Sequence, residues 1–303
     1  MYQGVIAPAV TLLQRDGTID ATANCAHADF LIESGVDGLY VLGMTGEFMH
    51  FNLREREGLV ATIVEHVDKR LPVIVGAATT ATREAVRLCR HAQGVGADAV
   101  TVTTPYFWTL SDREVIGHFA TIATAVDIPV FIYNVPRYSG INISNEILVT
   151  LLREHPNIIG IFDSVDSMDH LRTRIDAVRS MNPNFCVFTG NDGQLLTTLQ
   201  LGGNGTVPAT ANIAPNVHVD MVKAYESGDY GAAIECFQTL SKSLDIFMVP
   251  GSFHSVIKEA MVILGLAQSS TVRSPALPLT PESRARLREV LVKAGLVAMQ
   301  GRE

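Results

Sequence analysis

Lysine is scarce in this chain: 303 residues hold five, Lys69, Lys223, Lys242, Lys258 and Lys293, with none between the first two. All five fall in segments with a helical pattern, so chemistry that needs an amine nucleophile on a strand end has no evident donor. Cysteine is nearly as sparse. Cys25, Cys89, Cys186 and Cys236 stand far apart, without the close pairs of a zinc site or the density of a secreted disulfide scaffold, and they read as buried thiols. The 23 basic residues are scattered and outnumbered by 31 acidic ones, giving a net charge of −8. That balance argues against a polyanion-binding surface, so no nucleic-acid partner is expected. No apolar run reaches the roughly 20 residues that span a bilayer. The apolar start from Val5 to Leu13 lacks a basic flank and is interrupted by Pro8, unlike a signal peptide. The expectation is a soluble cytoplasmic protein with no membrane partner.

Cofactor and metal signatures are missing as well. None of the nine histidines pairs with another at i, i+4, and Gly202-Gly-Asn-Gly205 lacks both the Walker lysine and the spacing of a dinucleotide fingerprint. Asp163, Asp166 and Asp169 form a D-x-x-D-x-x-D series. Its simpler reading is a strand end followed by a helix start, where carboxylates favour the positive end of the dipole. Neither a cofactor nor a metal is expected.

What the chain does have is 47% hydrophobic content, enough for one large core. Short β-branched and aromatic runs alternate with longer helical patterns, the order of parallel strands joined by helices. Eight strands are predicted, near Val5–Ala9, Gly38–Leu42, Val73–Gly76, Ala99–Thr103, Val130–Asn134, Ile158–Phe162, Phe185–Thr189 and Gly205–Pro208. They are continuously apolar, as strands buried on both faces are. Asn52 with Glu55 and Ser111 with Glu114 read as helix caps with a carboxylate at N3. The fold class is α/β, a (β/α)8 TIM barrel with its active site expected at the C-terminal strand ends. After about Ser227 the strand signal stops, and helices are predicted at Tyr230–Leu244, Ser255–Leu266 and Glu282–Ala294. The division is a barrel over 1–226 and a three-helix region over 227–303. Ser269–Pro278 reads as a linker, with Thr280 and Pro281 capping the last helix.

Four stretches sit at the expected strand ends: Gly43-Met-Thr-Gly-Glu47, Tyr133-Asn-Val-Pro136, Ile158-Ile-Gly-Ile-Phe-Asp-Ser164, and Gly202-Gly-Asn-Gly205 leading into Thr206-Val-Pro208. Together they resemble the dihydrodipicolinate synthase / N-acetylneuraminate lyase family, from about Gly4 to the Ile257–Ala260 region. The run from Asp163 to Leu201 is most similar to the 2-keto-3-deoxy-aldonate aldolase branch. In that family a strand lysine forms an imine with a 2-oxo acid, and the resemblance puts Phe162 in its place. It makes Tyr133 the proton-shuttling tyrosine. It also implies that Gly43, Met44, Thr45 and Gly46 form a turn whose amides receive a carboxylate, with Val207 flooring the pocket. Met44 stands where a threonine is usual. Phe107 stands where the family often has a second tyrosine, reaching across a subunit interface. An arginine that holds a second carboxylate in the dihydrodipicolinate-forming branch corresponds to Tyr138, with Arg137 one residue out of step. Lys258 matches a lysine common on a C-terminal helix of the family and is no stand-in for the missing amine.

The expected ligand is therefore a 2-oxo acid or 2-keto-3-deoxy sugar acid, handled without an imine, as an enzyme using Tyr133 acid–base chemistry or as a non-catalytic sensor. A third reading, deliberate inactivation at Phe162, is disfavoured by the companion residues Met44 and Phe107. The resemblance also implies a homotetramer or dimer, for which the apolar Tyr106-Phe-Trp108 run suits an interface.

Overall fold

Runs that are apolar on both faces can be buried only between two layers, and the chain meets that need by closing its sheet on itself. The computed structural model describes residues 2–297; residues 298–303 of the predicted C-terminal region lie outside this range. Eight parallel strands form a closed barrel in chain order: β1 Gly4–Pro8, β2 Gly38–Val41, β3 Val73–Gly76, β4 Ala99–Thr103, β5 Val130–Asn134, β6 Ile158–Asp163, β7 Cys186–Thr189 and β8 Gly205–Thr206. The bounds of β3, β4 and β5 are those predicted, and the other five strands differ from the sequence reading by one or two residues at an end. The last strand is the shortest at two residues, although the Val207 amide still bonds to Thr189 O at 2.8 Å.

Successive residues of each strand point to opposite sides, and two apolar cores result. Between strands and helices lies an aliphatic layer that includes Val5, Leu39, Val41, Val73, Val75, Val100 and Ile161. Inside the barrel lie Ile6, Tyr40, Ile74, Phe131, Tyr133, Phe162, Phe188 and Val207. Register places Tyr133 beside Phe162 and Phe162 beside Phe188. Glycine permits the closure between β8 and β1: Gly205 has φ +146°, and a Cβ there would lie 1.9 Å from the carbonyl oxygen of Gly4.

Both predicted capping boxes are present, Asn52 with Glu55 and Ser111 with Glu114. Three C-terminal helices follow as expected, Tyr230–Ser243, Phe253–Ile263 and Pro281–Lys293. The second begins two residues early because Ser252 supplies its cap, accepting from Ser255 N. A separate apolar cluster joins Ile246, Val256, Ile257, Met261, Leu287 and Leu291 to Val10, Leu12 and Ile213 of the barrel. Two expectations need correction. Lys69 is not helical but sits in the turn after Leu53–Val67 with φ +60°, and Cys25 and Cys236 are only half-buried. As read from the acidic series, Asp163 ends β6 and Asp169 lies in the first turn of the next helix, which Ser167 caps. Among the described residues no helix is long and apolar enough to cross a membrane.

Candidate active site

The side chain at position 162 is fully buried and enclosed by rings. Its centroid lies 4.9 Å from that of Phe131, 5.4 Å from Tyr40 and 5.6 Å from Phe188. Tyr40 was not singled out from sequence, yet it shapes the floor as much as Phe162 does. Gly43 makes room for it, since a Cβ there would meet the Tyr40 ring at 2.5 Å.

Above these rings the C-terminal strand ends open into three adjoining cavities, all bordered by Met44, Tyr133 and Phe253. The deepest, about 60 Å³, also touches Tyr40, Thr45, Phe162, Ser164, Asp192 and Val207. A chamber of about 480 Å³ has polar groups from the barrel, including Arg137, Ser164, Asn191 and Asp192, facing Phe247 and Val249. A chamber of about 580 Å³ is mainly apolar, with Phe48, Tyr106, Val135 and Ala276 among its walls. None of the described residues lining the three is a lysine.

Tyr133 stands at the junction. Burial pushes its phenol up to about 12, with the nearby Ser164 hydroxyl opposing, so the group carries its proton at neutral pH. In the Gly43–Glu47 turn, Gly46 N donates to Gly43 O at 3.1 Å and Glu47 N to Met44 O at 3.0 Å. The amides of Met44 and Thr45 have no acceptor among the described residues, the arrangement in which a turn receives an anion. Met44 O also accepts from His254 Nε2 at 2.8 Å. A carbonyl can only accept, so that nitrogen carries the hydrogen.

The turn is anchored from behind. Glu47, in the left-handed region at φ +57°, forms a fully buried ion pair with Lys258 and accepts from Arg273 N at 3.3 Å. Burial pulls the Lys258 ammonium below its usual range, against the charge of Glu47. Lys258 also donates to Thr271 O at 2.9 Å. It borders none of the three cavities.

The acidic series after Phe162 diverges in space. Asp163 accepts from Asn134 at 3.0 Å, His170 at 2.9 Å and Arg174 at 3.1 Å, whereas Asp166 meets Gln194 and Asp169 meets Arg172. Among the described residues no cluster of three potential metal ligands occurs. Burial opposes the Asp163 charge, but the His170 hydrogen bond and the Arg174 charge outweigh it and hold its pKa below the usual range.

Phe107 does not line its own chain's cavities. It projects into solvent, 99% exposed, at φ +83°, and its neighbour Tyr106 forms the wall instead. Sequence reading missed Tyr106, Ser164 and Asp192, all at strand ends where inspection could have found them. Phe253 and His254 had no such signal, because a distant helix brings them in.

Burial also sets the acid behaviour of the frame. It lowers His27 and His118 to about 4 and His218 to about 3. Histidines whose folded pKa is depressed stabilise the fold fully above about pH 6.5, their unfolded value, and that stability is lost as pH falls towards 4, because the unfolded chain binds the protons. Asp163 adds a second loss below about pH 4 by the same sign. The thermal midpoint should therefore fall steadily between pH 7 and pH 5. A flat profile would contradict these histidines being neutral in the folded state.

Comparison with known proteins agrees with this geometry. The model of the dihydrodipicolinate synthetase family matches residues 1–294. The chain belongs to that family. It is 39% identical over 291 residues to a putative 2-dehydro-3-deoxy-D-gluconate aldolase, YagE, of Escherichia coli, covering 96% of each chain. A probable 2-dehydro-3-deoxy-D-pentonate aldolase of the same organism, YjhH, is 38% identical over 98% of both chains. The crystal structure of YagE in complex with pyruvate superposes with a TM-score of 0.96 at 38% identity, covering 98% of this chain and all of that one. Dihydrodipicolinate synthase from Aquifex aeolicus gives 0.91 at 31% identity, covering 97% and 99%. The family's TIM-barrel fold and its 2-keto-3-deoxy-acid aldolase relatives are thus those expected from the strand-end motifs.

Proposed function

We propose that this member of the lyase family binds a 2-oxo acid or 2-keto-3-deoxy sugar acid at the barrel mouth without forming an imine. The observation that carries this reading is a cavity that keeps Tyr133 and the free Met44 and Thr45 amides but has no lysine on its walls. A carboxylate would sit on the amide turn. The 2-oxo group would point to Tyr133, which at neutral pH is a proton donor, and the remainder would extend past Ser164, Asn191 and Asp192. Phe162 and Val207 would form the floor. Ordinary imine-dependent aldol cleavage is absent on this reading, since a benzyl group cannot supply the nucleophile. A non-catalytic acid sensor is the second reading, favoured by the apolar ring of Tyr40, Phe131, Phe162 and Phe188 beneath the site. We also infer that copies of the chain associate, because Phe107 and Trp108 stand 99% and 75% exposed side by side.

Titration calorimetry with pyruvate and with 2-keto-3-deoxygluconate, paired with an assay for released pyruvate, tests the reading. Reversible binding without release at aldolase rates is expected. Rapid release of pyruvate from the sugar acid would overturn it.

A further inference from the structure

Asp192 is a buried carboxylate with an unusual setting. It is 7% exposed, borders both the deep cavity and the polar chamber, and shares each of them with Tyr133. Among the described residues no cationic side chain pairs with it. Its partners are Ala209 N at 3.1 Å, Thr210 N at 2.9 Å and the Thr210 hydroxyl at 2.8 Å. A buried charge without a counter-ion is costly, and such groups in clefts concentrate where chemistry is done.

The hydrogen-bond directions around it are fixed. A carboxylate only accepts, so the Thr210 hydroxyl donates to Oδ2 and must itself accept from His218 Nε2, 2.8 Å away. Thr210 thus fills both lone pairs of Oδ2, while Ala209 N fills one of the two on Oδ1. One lone pair on Oδ1 is left for a proton.

Building on the 2-oxo acid reading above, we propose that Asp192 is a catalytic base and Tyr133 the matching acid for enolisation of the bound 2-oxo acid, with Thr210 and His218 as positioning residues. Asp192 takes a proton from C3, and the C3–H electrons form the C2=C3 bond. Tyr133 gives its proton to the carbonyl oxygen. Reversal returns the C3 proton from Asp192. In a 4-hydroxy-2-oxo acid the enol instead expels the C4 hydroxyl, which leaves as water with the proton from Asp192, while the enol proton returns to Tyr133. No metal, imine or external reductant enters the balance. Burial supports the division of roles: it pushes Asp192 above the usual carboxylate range, against the Thr210 and Ala209 bonds, and raises Tyr133 to about 12. Two titratable groups in one site whose surroundings set their proton affinities apart are the pattern of paired acid–base catalysis.

The test is hydrogen–deuterium exchange at the pyruvate methyl group, followed by proton NMR in heavy water, with binding measured separately by saturation transfer. The wild type should accelerate exchange by about 10²–10⁴-fold over a carboxylate buffer. Asp192→Asn should lose about 100-fold or more of that rate while still binding pyruvate. Thr210→Val should lose part of it, and Thr210→Ser should recover it. Should Asp192→Asn fail to fold, the pH profile of the wild type decides, because exchange should rise through one ionisation above the ordinary carboxylate range. The other titratable groups around the chamber are Tyr133, Tyr138 and Arg137, with His218 behind Thr210; burial holds His218 neutral over that range. Pyruvate bound without exchange, or exchange undiminished in Asp192→Asn, would overturn the assignment and leave the binding reading intact. Absence of pyruvate binding would overturn the binding reading itself, and this assignment with it.

Discussion

Lys258→Met should destabilise the protein by about 3–5 kcal/mol, the usual cost of removing one partner from a buried ion pair. Lys258 and Glu47 are both fully buried, so the substitution strands a carboxylate in a medium that cannot solvate it. The damage should reach the site. Glu47 ends the turn that carries the Met44 and Thr45 amides, and its left-handed backbone at φ +57° is held by the partners of its carboxylate. A drop on the order of 10 °C in the thermal midpoint is expected, with weaker binding of small carboxylates. Replacing Glu47 by Met as well should restore most of the stability, because an apolar pair of similar volume commonly matches a buried ion pair. Acid binding should stay weak in that double variant, since the bond from Arg273 N to Glu47 at 3.3 Å is also gone. A single variant within about 1 kcal/mol of the wild type would show that the pair is not the anchor described here.

Phe162→Lys should turn an inert floor into a reactive one. The new amine would stand beside Tyr133 and Phe188 in the strand register, among Tyr40, Phe131 and Phe188. Burial of this kind lowers a lysine pKa by as much as about 3–5 units, which supplies the neutral amine that attacks a ketone. Borohydride in the presence of pyruvate should then label residue 162, a change from no adduct to near-complete modification. Aldol turnover should remain about 10²–10⁴-fold below that of a complete relay, because Met44 has no hydroxyl and Phe107 offers none. A folded variant that stays unlabelled would mean that the aromatic ring above β6 shuts pyruvate out.

The barrel was legible because parallel strands buried on both faces leave continuous apolar runs, as at Val130–Asn134 and Ala99–Thr103, whose bounds agree with the sequence reading. β8 was harder. Its two residues are too few to show a pattern, and its place is fixed by Gly205 and by Asn204, whose amide and side chain both bond to Val187. Of the site, Tyr133, Met44, Thr45, Phe162 and Val207 do border the deep cavity. Local sequence could not show Tyr40 filling space that Gly43 leaves, nor Phe253 arriving from a helix more than a hundred residues downstream of Tyr133. Nor could it show the environment of Asp192, a carboxylate whose significance comes from burial and from donors at Ala209 and Thr210.

The most direct test of the central claim is the intact mass of the wild-type protein after pyruvate and borohydride treatment. An unchanged mass is expected, because among the described residues no lysine borders the cavities that would hold the acid. A mass increase mapped to Lys69, Lys223, Lys242, Lys258 or Lys293 would contradict it.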